Sequence, residues 1–195
     1  MKLAVLALLL VLTPALHAQQ LGPEVAVATI KVGKERDLRR VVIGLYDNAA
    51  PVHVQNFKEL VQRRYYRGMR FHRAFPGTLL QTGDPYSKRG PSARTGTGGP
   101  HYTLPAEIRL PVARGAVAMA RIEGPNNPAR VSNGSQFFVA LKPLNELNGQ
   151  YTVFGRILEG LEDLEEISRM RTDPNNFPLE KIVIKSIVLE PRVAS

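Results

Sequence analysis

The sequence predicts a mainly β protein, a closed eight-stranded antiparallel β-barrel capped by two α-helices. Three observations predict it. Eight short stretches rich in β-branched and aromatic residues are separated by Gly, Pro, Asn and Asp. Only two stretches repeat apolar residues at helical spacing. The strands also follow one another without the alternating helices that a parallel sheet requires. The chain has 195 residues, 44% of them hydrophobic, and shows no internal repeat or linker. One domain of that size holds its own core.

The elements follow in order. Residues 1–18 open with Met1-Lys2, continue through the apolar run Leu3 to Leu16 and end at the small Ala18. That layout predicts a signal peptide over 1–18 and a single folded domain over 19–195. Leu16 is larger than a cleavage site prefers, and an uncleaved anchor helix is the alternative reading. The expectation is export, to a periplasm rather than full secretion, with no membrane contact after cleavage. VAVATIKV (Val25 to Val32) and LRRVVIGLY (Leu38 to Tyr46) read as an opening hairpin across the turn KERD. In APVHVQNFKELVQRR, Pro51 suits the first helical position, and Val54, Phe57, Leu60 and Val61 make one apolar face. MRFHRAF and TLLQTGD return to strands around Pro76-Gly77. Lys88 to Tyr102 reads as a long loop. GAVAMARI (Gly115 to Ile122), SQFFVAL (Ser135 to Leu141) and YTVFGRIL (Tyr151 to Leu158) are further strands. Helix LEDLEEISRM (Leu161 to Met170) precedes the closing strand EKIVIKSIVLE (Glu180 to Glu190).

Several chemistries drop out. There is no cysteine, hence no disulfide framework, thiolate metal site or cysteine nucleophile. None of Ser87, Ser92, Ser132 and Ser135 sits in a G-x-S-x-G elbow that would recruit His53, His72 or His101. No H-E-x-x-H spacing occurs. GTGG (Gly96 to Gly99) lacks the strand before it and the Lys-Ser/Thr after it that a phosphate loop needs, so positive φ angles are its expected use. The formal charge is +9, but the bases are scattered and not interleaved with aromatics. That pattern predicts a solubilising surface and no specific nucleic-acid partner.

One stretch resists a purely structural reading. FHRAFPGTLLQTGDP (Phe71 to Pro85) places a permanent charge and an amide in barrel-like sequence. Strand alternation puts Arg73 on one face with Phe71 and Phe75, opposite His72 and Ala74. Leu79 and Gln81 share a face in the next strand. Gln136 and Phe138 share one face of SQFFVAL, opposite Phe137. An arginine lying over the barrel exterior with its head in water is the structural alternative.

These segments together resemble the cyclophilins, a family of peptidyl-prolyl cis-trans isomerases. The resemblance rests on FHRAFPG...Q.GD, GTGGP, VAMA, NGSQFFV and LNGQYTVFGRI, in that order, and on YDNAAPVHVQNFKEL. It covers Ala28 to Glu190. It implies a proline-binding groove outside the barrel, with Arg73 and Gln81 as the catalytic pair. It further implies that Gln136 binds substrate and that Phe138, Leu79 and Leu147 line the proline pocket. Ala120 and Arg121 would pair with the peptide backbone; Phe71, Thr78 and Tyr151 complete the expected substrate-binding set. It implies no cofactor and no metal. The expected partners are proline-containing segments of exported proteins, met by a monomer. The sequence departs from the family pattern at Thr78, where phenylalanine is usual, and at Leu79, Tyr151 and Glu146, where methionine, histidine and tryptophan are found. Glu146 implies weak cyclosporin binding. Two other classes stay open: a groove that binds proline segments without turning them, and a basic β-barrel that binds a polyanion.

Overall fold

The computed structural model describes residues 19–36 and 38–193. The expected signal peptide lies outside the described residues. Eight strands form one sheet, entirely antiparallel: β1 (Glu24–Val32), β2 (Arg39–Leu45), β3 (Arg73–Phe75), β4 (Leu79–Thr82), β5 (Ala116–Met119), β6 (Phe137–Ala140), β7 (Val153–Glu159) and β8 (Ile182–Pro191). Their order across the sheet is β3-β4-β6-β5-β7-β2-β1-β8. Every strand expected from the sequence is present, though β3, β4, β5 and β6 are shorter because their flanks leave the ladder.

The sheet curls into a half-barrel, and a fully closed barrel overstates it. The edge strands β3 and β8 share no ladder. The chain just before β3 bridges the seam instead. Gly68 N–H donates to the Ile184 carbonyl at 2.8 Å, Ile184 N–H to Met69 at 2.9 Å and Phe71 N–H to Ile182 at 3.1 Å. At His72 the chain changes partner, its N–H donating to the Gln81 carbonyl on β4 at 3.0 Å. This switch resets the alternation. Phe71 turns into the interior, and Arg73 points out two residues later.

Helix α1 (Pro51–Gln62) starts at Pro51 and buries Val54, Phe57, Leu60 and Val61 against the inner face of the sheet. Its N-cap Ala50 offers no side-chain acceptor. Glu107 takes that role from a distant loop, accepting Val52 N–H at 3.2 Å and His53 N–H at 3.0 Å. A carboxylate at a helix start satisfies free N–H groups and meets the positive end of the dipole. Helix α2 (Leu161–Ser168) packs Leu164 and Ile167 inward near β4. The inner face is filled by an aromatic cluster in which Phe137 lies 5.7 Å from Phe57, 5.6 Å from Tyr66 and 6.1 Å from Phe154. A second, smaller cluster lies outside the sheet on β4–β7, built from Ala118, Phe138, Ala140, Leu144, Tyr151 and Val153. It floors the groove described next.

Candidate active site: an outer-face groove

Cross-strand register builds the groove. Arg73 on β3 stands opposite Gln81 on β4, Gln81 opposite Phe138 on β6, and Phe138 opposite Ala118 on β5. One row of side chains on one face therefore reads guanidinium, amide, aromatic ring and methyl. The groove above this row has a volume of about 1210 Å³. It gathers Arg73, Thr78, Leu79, Gln81, Ala120 and Arg121 with Gln136, Phe138, Leu147 and Tyr151. Ten of the eleven residues expected from the sequence are thus brought together. Phe71 is not among them. It is 4% exposed within the inner core, for the reason given by the ladder switch.

Arg73 is exposed, and its guanidinium lies 4.8 Å from the centre of the Phe75 ring. Stacking on a ring fixes a charge while leaving its N–H groups for a ligand. The ion pairs of the described residues lie elsewhere, at Arg39–Asp163, Lys58–Asp47 and Arg114–Glu165 among others. Gln81 is half-buried, and its Nε2 donates to Gln136 Oε1 at 2.9 Å.

Gln136 has a different place from the one expected. Its Nε2 donates to the Gly96 carbonyl at 2.9 Å and to Gly98 at 2.8 Å, while its Oε1 accepts Gln81. Both amide hydrogens are spent within the protein, so Gln136 braces Gln81 and the glycine loop. Ala120 is similarly committed: its N–H donates to Gln136 at 2.8 Å, and its carbonyl accepts Asn133 N–H at 2.8 Å. That leaves Arg121 as the candidate of the two for backbone pairing with a peptide. The Arg121 guanidinium is held by the Gln150 carbonyl at 2.7 Å and lies 4.8 Å from the centre of the Tyr151 ring.

The apolar end of the groove is lined by Phe138, Tyr151, Leu79 and Leu147 and has the dimensions of a pocket. Phe138 is 4% exposed and meets Tyr151 edge-on, with centroids 5.3 Å apart. Leu79 and Leu147 stand half-buried beside them. The Tyr151 hydroxyl donates to Glu123. Burial, with Glu123 close by, pushes the phenol far above its ordinary pKa. The ring therefore stays neutral and keeps its hydrogen. Thr78 turns its hydroxyl to the Pro76 carbonyl at 3.3 Å.

The glycine loop closes the other end. Gly96 has φ +92°, as expected of a turn glycine. Gly98 is needed for a different reason, since a Cβ there would stand 2.2 Å from Asp84 Oδ1. Buried Asp84 accepts Tyr86 N–H at 2.7 Å and also Gly96 N–H. Asn133 Oδ1 accepts Gln136 N–H at 3.0 Å, and its Nδ2 donates to Gly98 at 3.0 Å. Asp84, Asn133 and Glu123 had no role in the sequence reading, although Asp84 and Asn133 fall inside quoted motifs; Phe75 was placed on the Arg73 face but given no contact with it. Beside the groove, a second cavity of about 660 Å³ shares Arg73 and Gln81 and reaches His72.

The comparisons agree with this geometry. Residues 28–189 match the family described as cyclophilin type peptidyl-prolyl cis-trans isomerase/CLD. The chain belongs to that family. A probable peptidyl-prolyl cis-trans isomerase of Brucella suis is 42% identical over 135 residues, which is 66% of this chain and 66% of the relative. The peptidyl-prolyl cis-trans isomerase ppi1 of Schizosaccharomyces pombe is 35% identical over 159 residues, 80% of this chain and 96% of the relative. Among solved structures, a cyclophilin-type isomerase of Cryptosporidium parvum, crystallised in the presence of the dipeptide Ala-Pro, superposes with a TM-score of 0.72. It is 29% identical and covers 86% of this chain and 99% of its own.

Proposed function

We propose that this protein accelerates rotation about Xaa-Pro peptide bonds and that its clients are exported proteins. The observation that carries the reading is the row Arg73–Gln81–Phe138, a charge beside an apolar ring pocket on one open face. An export role draws its support from the sequence of residues 1–18.

Turning a peptide bond costs about 18–20 kcal/mol because the planar amide is resonance-stabilised. The uncatalysed exchange takes tens to hundreds of seconds at proline. No covalent step is needed; the twisted amide must be favoured over both planar forms. Twisting returns a lone pair to the proline nitrogen. A donor aimed there helps only in the transition state, and Arg73 is charged at every relevant pH. Phe138, Leu79, Leu147 and Tyr151 grip the ring and keep water from the polar planar amide. Gln81, steadied by Gln136, holds a carbonyl through its second Nε2 hydrogen. Raising the rate from about 10⁻² to about 10³ s⁻¹ needs a barrier lower by about 7 kcal/mol. A charged hydrogen bond of about 1.5–3 kcal/mol leaves the remainder to positioning.

NMR exchange spectroscopy on a proline peptide tests this, with Arg73→Ala alongside. Fast exchange in the wild type and a fall of tenfold or more in the variant, about 1.4 kcal/mol, is the expected result. Peptide binding without exchange in the wild type would instead assign the groove to recognition alone.

A further inference from the structure

Ser132, His53 and Glu107 are far apart in sequence and have no motif in common. In the fold they make one hydrogen-bonded line beneath the polar end of the groove. Glu107 Oε2 lies 2.8 Å from His53 Nδ1, and His53 Nε2 lies 2.9 Å from Ser132 Oγ. Glu107 is fixed in place by the two N–H groups of α1 that it accepts. A carboxylate has no hydrogen to give, so Nδ1 carries the hydrogen of the neutral ring and Nε2 is the acceptor. The Ser132 hydroxyl therefore donates to Nε2. Nucleophile, base and orienting acid stand in the order, and at the distances, that acyl transfer requires.

The surroundings suit that order. His53 is fully enclosed, and burial holds its pKa below the ordinary histidine value against the opposing pull of Glu107. The ring is neutral near pH 7 and free to take a proton. Ser132 belongs to the groove wall with Asn127 and Asn133. It is 1% exposed, so only a compact group reaches it. Asn127 spends both amide hydrogens on the Ile122 and Val131 carbonyls. Asn133 is turned to the glycine loop, its Nδ2 donating to the Gly98 carbonyl at 3.0 Å.

We propose that Ser132 is an activated nucleophile that accepts small acyl groups from esters, giving this protein a hydrolytic activity separate from isomerisation. Ser132 Oγ attacks the acyl carbon as its proton passes to His53 Nε2. The ester C–O bond breaks, and the alcohol leaves with that proton. Water then attacks the acyl-serine, gives its proton to His53, and releases the carboxylic acid as Ser132 recovers its hydrogen. Glu107 orients the ring throughout and does not itself take a proton.

The test uses the intact protein, a fluorophosphonate and p-nitrophenyl acetate. One phosphonyl adduct per chain is expected, mapped to Ser132 by peptide mass spectrometry. It is absent in Ser132→Ala and forms at least about a hundredfold more slowly in His53→Gln. p-Nitrophenol appears in a burst of one equivalent followed by slow turnover. No adduct, an adduct elsewhere, or an unchanged labelling rate in His53→Gln overturns the proposal and leaves the line as a tie between α1 and the loop. Cooperative thermal unfolding checks each variant, and if either fails to fold, the wild-type adduct map decides alone. None of these readouts depends on proline exchange.

Discussion

Phe137 and Phe138 are adjacent on β6 and work on opposite faces. Phe137 is surrounded on the inner side by Phe57, Tyr66 and Phe154. Phe138 meets Tyr151 on one side and the groove on the other. Both are nearly buried, at 3% and 4% exposure. The difference lies in what completes the packing. The inner ring is enclosed by the protein's own core, while the outer ring is left with a side for a ligand. A sheet that is apolar on both faces can therefore put stability on one face and recognition on the other.

Truncating both rings separates the two roles. Phe137→Ala removes a fully packed ring and is expected to lower stability by about 3–5 kcal/mol, read from urea denaturation. Phe138→Ala should cost less in stability and lose most of the proline exchange. If the two variants lose stability equally, the outer cluster is core and the division fails. Next in size is the loss at Arg73→Ala given above, which should leave the denaturation midpoint almost unchanged because the side chain is exposed. A variant that unfolds early would move Arg73 to the structural side of the comparison.

Smaller effects sharpen the same division. Thr78→Phe places a ring at the pocket wall and is expected to tighten peptide binding a few-fold, about 1 kcal/mol by calorimetry. Unchanged affinity would mean that the Thr78 turn points its side chain away from the bound ring. The last prediction concerns pH. Burial holds both His53 and His72 below the ordinary histidine value. The unfolded chain then takes up protons first, so stability is unaffected above about pH 6.5 and falls as the pH drops below it, down to the folded-state values. Denaturation midpoints measured downward from about pH 7.5 should fall in the wild type and less steeply in His53→Gln. Equal slopes would assign the loss to other groups.

Much of the fold was legible because its signals are local. Alternation correctly separated Phe137 from Phe138 and joined Leu79 with Gln81. It failed at Phe71, where the chain leaves β8 and joins β4 between successive residues and the phase of the alternation is lost. The candidate site was legible through contiguous motifs, but the commitments of its polar groups were not. Gln136 looks like a free amide in SQFFVAL. Only its approach to the Gly96–Gly98 carbonyls shows it to be a brace.

The sequence by itself determined eight strands, two helices and the family. Side-chain period, turn residues and short motifs act over a few residues and survive without knowledge of the fold. Tertiary structure alone decided the seam between β3 and β8, the capping of α1 by Glu107, and the line Ser132–His53–Glu107. Each is a contact between segments distant in the chain. Such contacts are set by how the sheet curls and where the loops return, and no local pattern encodes that.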